Sequence, residues 1–168
     1  MQRRTLDAEF AGFVEKHRVD LVRTARLLSS GDPHRAEDLV QTALVRAYTA
    51  WNRVRNSDYP VAYVRRSIVN AHIDESRRPW WRRERSMALP PDVPVHFADD
   101  DLGEAVRSAL ASLPPKMRAV VVLRHWLDLS VEQTADWLGC TEGTVKSQNA
   151  KAVAKLRHLL TPEGQTTR

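Results

Sequence analysis

Residues 128–160 read DLSVEQTADWLGCTEGTVKSQNAKAVAKLRHLL. Ser130, followed three residues later by Gln133, has the spacing of a capping box, in which each side chain satisfies a backbone donor of the other residue and fixes a helix start. Val131, Thr134, Ala135 and Leu138 then supply one helical face, and Gly139 suits the left-handed conformation that ends a helix. Thr141 caps a second helix running to about Leu160, with Val145, Ala152, Val153, Leu156 and Leu159 turned inward. A short and a long helix joined by a tight glycine turn is the pattern of a helix-turn-helix, whose second helix enters the major groove of duplex DNA. Residues 144–158 carry Lys146, Lys151, Lys155 and Arg157 and no carboxylate. Thr144, Lys146, Ser147, Gln148 and Lys151 fall in the N-terminal half, which meets base edges. Gln148 suits a bidentate contact with adenine, and the two lysines suit phosphate or guanine. The plainer alternative is an amphipathic helix with a basic outer face. The caps, the turn and the charge together favour DNA.

Upstream, residues 102–112 and 115–126 read as two helices separated by Pro114-Pro115. Leu102, Ala105, Val106, Ala109 and Leu113 form the stripe of the first, and Ala119, Val120, Leu123 and Leu127 part of the stripe of the second. Residues 79–101 carry Pro79, Pro90, Pro91 and Pro94, which remove backbone donors and disfavour helix in the preceding residues; this stretch reads as an extended linker. Its acidic end, Asp99, Asp100 and Asp101, suits a solvated charge run or a helix N-terminus.

The first 78 residues repeat the helical theme. Leu6, Phe10, Phe13 and Val14 share a face over 6–17, as do Leu21, Val22, Ala25 and Leu28 over 19–29. Gly31 reads as a stop and Asp32-Pro33 as the next start, with Asp as cap and Pro at the first helical position. Ala36, Leu39, Val40, Ala43, Leu44, Ala47, Tyr48 and Trp51 then form one apolar stripe over four turns. The opposite face, with Glu37, Asp38, Gln41, Thr42, Val45, Arg46 and Thr49, is solvated surface or a partner-docking surface. A polar loop, 52–59, leads through Pro60 into a helix with Val61, Val64, Ile68 and Ala71 on one side. Arg65, Arg66, Asn70, Asp74, Arg77 and Arg78 lie on its other sides. Arg77 and Arg78 suit either the negative end of the helix dipole or phosphate; Tyr59 and Tyr63 suit stacking on unpaired bases or a place at the rim of the core.

The 168 residues suffice for one ordinary domain or two small ones, and a hydrophobic share of 42% suits a packed core. The net charge is +5 and the pI about 9.8, which favours polyanionic partners. Charge is not uniform: residues 1–78 are net +4, 79–101 net −2 and 102–168 net +3. A single cysteine, Cys140, excludes an intrachain disulfide. The first residues lack the apolar core of a signal peptide, and no run is long enough to span a membrane, so a cytoplasmic location is expected.

AEDLVQTALVRAY (36–48), NAHIDESRR (70–78), the proline-bearing linker and SVEQTADWLGCTEGTVKS (130–147), in that order, resemble a group IV bacterial sigma factor of the extracytoplasmic-function type. The likeness spans about residues 10–160. It implies an all-α fold of two small domains, sigma region 2-like over 1–78 and region 4-like over 102–168, joined by the linker 79–101. The expected partners are core RNA polymerase and promoter DNA, with an anti-sigma factor as a further candidate, and no cofactor, metal or membrane insertion. The helix 34–51 corresponds to the surface that docks on the clamp helices of the largest polymerase subunit, with Asp38, Gln41, Thr42, Val45 and Arg46 as contacts. Thr42 stands where the family often has Glu. The loop 52–60, with Asn56 and Asp58, corresponds to the element that captures a flipped base of the −10 promoter element. The helix 61–78 helps melt that element and hold its non-template strand through Tyr63, Arg66, Asn70, Asp74, Arg77 and Arg78; Tyr63 replaces a more usual Trp. The last helix reads the −35 element, where Gln148 and Asn149 depart from a frequent Arg-Leu. The linker threads toward the RNA exit path. The resemblance also implies no further domains of the housekeeping sigma type, no long C-terminal extension, and weak DNA binding in the absence of polymerase.

Two other readings compete. A stand-alone helix-turn-helix regulator uses the same C-terminal motif and binds a palindrome as a dimer, but leaves the outer face of helix 34–51 unexplained. An enzyme is disfavoured. His17, His34, His72, His96, His125 and His158 form no pair at metal-ligand spacing. Cys140 has no partner motif, and neither a phosphate-binding glycine loop nor a Ser or Cys nucleophile pattern occurs. His72, with Asp74 and Glu75, reads as helix surface.

Overall fold

A computed structural model describes residues 1–78 and 103–161. The linker 79–101 with Asp99, Asp100 and Asp101, together with Leu102 and residues 162–168, lies outside the described residues. The described residues are helical and include no strand.

The two segments read over 6–17 and 19–29 are one helix, α1 (Gln2–Leu28), because neither glycine nor proline stands between them. Only its second half is fully covered, by Leu21, Val22, Ala25, Leu27 and Leu28. The chain then turns through Ser30 and Gly31, both at positive φ (59° and 82°). Asp32 Oδ1 accepts from the backbone N–H groups of His34 (3.0 Å) and Arg35 (3.2 Å), so α2 (Pro33–Thr49) starts where its cap and proline direct.

The α2 stripe is buried at Ala36, Leu39, Val40, Ala43, Leu44 and Ala47. Tyr48 departs from the expectation. It stays exposed, packs edge-on against Phe10 and donates from its hydroxyl to Asp7 (2.8 Å). Trp51 is buried but begins a separate turn, α3 (Trp51–Val54), so the segment read as loop from Asn52 opens with helix. Phe10 and Phe13 each lie 5.1 Å, centroid to centroid, from the Trp51 ring. α4 (Pro60–Ser76) buries Val64, Ser67, Ile68, Val69, Ala71 and His72 against α2 and α1. It ends two residues short of Arg78, and Arg77 is its C-cap.

The C-terminal module comprises α5 (Glu104–Ala111), α6 (Pro115–Val121), a π-helical turn (Val122–Trp126), α7 (Val131–Leu138) and α8 (Glu142–Leu160). The stripe expected over 102–113 holds only at its end. Ala109, Leu110 and Leu113 are buried, whereas Ala105 and Val106 face out. The helix expected over 115–126 widens at Val122, where the Leu127 N–H reaches back five residues to the Val122 carbonyl (3.0 Å). Residues 118–123 are buried without interruption; one face of a regular α-helix does not cover six successive residues. The two modules share one core. Leu110, Leu113, Ala119, Val121, Val122 and Leu123 cluster with the buried residues of α1, α2 and α4. Truncating a residue such as Leu28, Ile68 or Leu123 to Ala would cost about 2–5 kcal/mol.

Candidate nucleic-acid interface

The helix-turn-helix is built by the local chemistry of its sequence. The Ser130 N–H donates to Gln133 Oε1 (2.9 Å) and the Gln133 N–H donates to Ser130 Oγ (3.0 Å), closing the capping box at the start of α7. Gly139 (φ 63°, ψ 39°) ends α7 in the left-handed region. Thr141 Oγ1 accepts from the Thr144 N–H (3.1 Å) and starts α8. Lys146, Ser147 and Lys151 are exposed on α8, Gln148 is half-buried, and the Thr144 hydroxyl is paired with that of Thr141 (2.9 Å). Two neighbours are committed elsewhere. Asn149 Oδ1 lies 2.9 Å from His125 Nε2, and Lys155 Nζ donates to the Ser112 carbonyl (2.8 Å), tying α8 to the end of α5.

On the N-terminal module, Asn70, Asp74, Arg77 and Arg78 are exposed along or just beyond α4, and Arg66 is partly exposed. Tyr63 is half-buried at the rim of the core, with the Arg53 guanidinium 5.9 Å from its ring centroid. Asn56 donates to the Asn52 carbonyl (2.8 Å), while Asp58 and Tyr59 stand in solvent. The α4 residues and the helix-turn-helix are closer than two tethered domains require: Arg66 donates from Nη1 to Asp136 Oδ2 (3.1 Å) and from Nη2 to the Asp136 carbonyl (3.2 Å).

The outer face of α2 forms a third surface. Asp38, Gln41, Thr42, Val45 and Arg46 are all exposed, Val45 by 61%. Gln41 donates to Glu37 (3.2 Å), which also pairs with Arg18. The Asp38 carboxyl is held above the usual range, first by partial desolvation and then by the negative charge of Glu75, Asp32 and Glu37. Asp38, Thr42 and Arg46 share a cleft with Asp74, Glu75 and Arg78, so the α2 and α4 faces are continuous.

Two important residues escaped the sequence reading. His72 is not helix surface; it is fully buried, and its Nε2 meets the Pro115 carbonyl (3.1 Å) across the two modules. The spacing Val64, Ile68, His72 already puts it on the core stripe. Arg118 is 6% exposed and spends its guanidinium on the carbonyls of Leu28, Leu110 and Leu113 (2.7, 2.9 and 3.0 Å). It stands three and four residues before the buried Val121 and Val122. No group of three potential metal ligands occurs among the described residues, and none of their helices is long and apolar enough to cross a membrane.

Comparison with known proteins matches both modules. Residues 13–82 fit the family described as Sigma-70 region 2, and residues 103–156 fit Sigma-70, region 4. The chain is 40% identical over 158 residues to the RNA polymerase sigma-E factor of Streptomyces avermitilis, covering 90% of this chain and 85% of that protein. It is 34% identical over 153 residues to the ECF RNA polymerase sigma factor SigM of Mycobacterium tuberculosis, covering 90% and 76%. Among solved structures, the sigma factor RpoE of Bartonella quintana, in complex with the anti-sigma factor NepR, superimposes with a TM-score of 0.67 at 25% identity, over 95% of this chain and 99% of that one.

Proposed function

Because this chain belongs to the extracytoplasmic-function sigma factors, which bind core RNA polymerase and direct promoter recognition, melting and initiation, we propose how its surfaces divide that work. The exposed face of α2, with Asp38, Gln41, Thr42, Val45 and Arg46, docks on the polymerase. Val45 supplies an apolar contact inside a polar rim, the usual make-up of a protein interface. Asn56 and Asp58, in the segment before α4, take a flipped base of the −10 element. Tyr63, Arg66, Asn70, Asp74, Arg77 and Arg78 hold the opened non-template strand. Base capture requires unpaired bases, so melting and recognition are coupled in this module. In the duplex −35 element, Lys146 and Lys151 anchor on phosphate, while Thr144, Ser147 and Gln148 face base edges.

The linker joins the two modules on the polymerase, and an anti-sigma factor is a candidate regulator. The chain supplies binding and strand separation and catalyses no reaction itself; its place of action is the cytoplasm, where the polymerase is. The observation that carries the reading is the coexistence of an uncovered, partly apolar α2 face with a helix-turn-helix in one chain. A stand-alone dimeric regulator needs no such second face. In vitro transcription with purified core polymerase over a promoter library tests it. Start-site-specific transcripts that depend on this protein are expected, and their absence on every template would overturn the assignment.

A further inference from the structure

The short turn α3 places one arginine that belongs to no site read from the sequence. Trp51 and Val54 are both buried, and the Phe10 and Phe13 rings pack on Trp51. Two buried anchors three positions apart fix one inner face of the turn. The Arg55 N–H closes it on the Trp51 carbonyl (2.9 Å). Asn52 and Arg53 consequently stand outside.

Arg53 differs from the arginines near it. Arg55 pairs with Glu9 (2.7 Å), and Arg65 pairs with Asp20. Among the described residues Arg53 pairs with no carboxylate. Its guanidinium lies instead over the Tyr63 ring of α4, 5.9 Å from the centroid. At an exposed site such a contact is weak and leaves the cation able to bond an anion. A guanidinium both stacks on aromatic faces and grips phosphate with a planar fork. An aromatic ring stacks on any unpaired base. One nucleotide of an opened strand offers both partners at once.

We propose that Arg53 and Tyr63 form a single nucleotide subsite for the opened strand, in which the Tyr63 ring stacks on a base and the Arg53 guanidinium bonds the adjoining phosphate. This inference rests on the assignment of α4 to that strand and adds to it a residue outside α4. Arg53 and Tyr63 bracket Asn56 and Asp58 in the chain, so the nucleotide they hold is a neighbour of the captured base. The 5.9 Å approach preorganises the pair, because the buried Trp51 and Val54 hold α3 in place before any strand arrives.

The test uses holoenzyme assembled from core polymerase and the full-length chain. A fluorescent single-stranded oligonucleotide carries the −10 element of a promoter recovered from the library, and anisotropy reads its affinity over a range of salt concentrations. Arg53→Gln removes the charge. Arg53→Lys keeps the charge and loses the planar fork. Arg4→Gln makes the same charge change in the exposed first turn of α1 and serves as control. Arg53→Gln should bind about three- to tenfold more weakly than Arg4→Gln. Its salt slope should be smaller by about 0.7, the share of one phosphate contact on a single strand. Arg53→Lys should keep the slope and lose about two- to threefold in affinity. Tyr63→Leu should weaken binding, and Arg53→Gln should then cost less than it does beside Tyr63, since both groups serve one nucleotide. Equal binding by Arg53→Gln and Arg4→Gln, equal salt slopes of those two, or strictly additive losses overturn the proposal. Promoter-specific transcription by the unmodified chain reads the sigma function separately. If it persists while these expectations fail, only the Arg53 subsite is lost; if it is absent on every template, the assignment of α4 falls and the proposal with it.

Discussion

Arg118 Nη1, in the C-terminal module, donates a 2.7 Å hydrogen bond to the carbonyl of Leu28, the last residue of α1 in the N-terminal module. The end of a helix leaves carbonyls without intrahelical donors, and this one is buried beneath the other module. Nη2 satisfies the Leu113 carbonyl in the same way, and Nε adds a second donor to the Leu110 carbonyl, which also accepts from the Leu113 N–H. Among the described residues no carboxylate pairs with the guanidinium. Three carbonyl dipoles, one of them at the negative end of α1, offset its desolvation.

Replacing Arg118 by Met should therefore cost about 3 kcal/mol, because it strands the buried Leu28 and Leu113 carbonyls and leaves Leu110 with only the Leu113 N–H as donor. Arg118→Lys should recover only part, since an ammonium lacks the planar fork that reaches all three. Urea unfolding followed by circular dichroism measures both. A loss below about 1 kcal/mol for Met would refute the view that this side chain joins the modules.

Acid should weaken the fold through His72. Burial, with Arg118 and Arg35 nearby, holds its pKa down to about 4, against the favourable hydrogen bond to Pro115. Its Nδ1 has no hydrogen-bond partner among the described residues, so a second proton would be stranded. The unfolded chain takes up a proton near pH 6.5 and the folded chain does not. Stability is thus full above pH 6.5 and falls as pH drops toward 4, by about 1 kcal/mol between pH 7.5 and 5.5. His72→Gln, which retains a donor for Pro115, should flatten this slope. Equal slopes for the two proteins would assign the pH dependence to other groups.

Breaking the capping box should loosen the helix-turn-helix. Ser130→Ala removes the acceptor for the Gln133 N–H and should cost about 1 kcal/mol. Gln133→Ala removes the reciprocal bond to the Ser130 N–H. Hydrogen exchange should quicken in the first turn of α7 in each variant, with the Ser130 change the larger. Unchanged exchange there would mean that tertiary packing alone sets this helix start.

Val45→Glu should weaken binding to core polymerase about tenfold or more while leaving the unfolding midpoint of the free protein nearly unchanged. Val45 is 61% exposed, so the folded monomer tolerates the charge, whereas a dry contact on a partner does not. Surface plasmon resonance with immobilised core enzyme, beside a thermal melt, separates the two effects. A parallel loss of stability would move Val45 from the docking surface to the core.

Local rules carried much of the architecture. The Asp32-Pro33 start, the α2 stripe from Ala36 to Ala47, the Ser130–Gln133 box and the Gly139 turn depend on residues within a few positions of one another. Backbone capping and helical periodicity act at that range, and the chain displays them directly. Family likeness then joined these pieces into two modules. The errors have a common origin. Tyr48, on the α2 stripe, turned outward because Asp7 and Phe10 of α1 were there to receive it. The stripe over 102–113 faded because α5 presents only its last turn to the core.

His72 and Arg118 mark the boundary between the two kinds of information. Helical spacing states that a residue lies on an inner face; it does not state which carbonyl waits there. The acceptors are Pro115 for His72 and Leu28 for Arg118, separated from them by 43 and 90 residues. A polar group is tolerated in a core only where a distant segment brings it a partner. Elements and caps were therefore written locally, whereas closure of the modules, and with it the contact between Arg66 and Asp136, arose only when remote groups met.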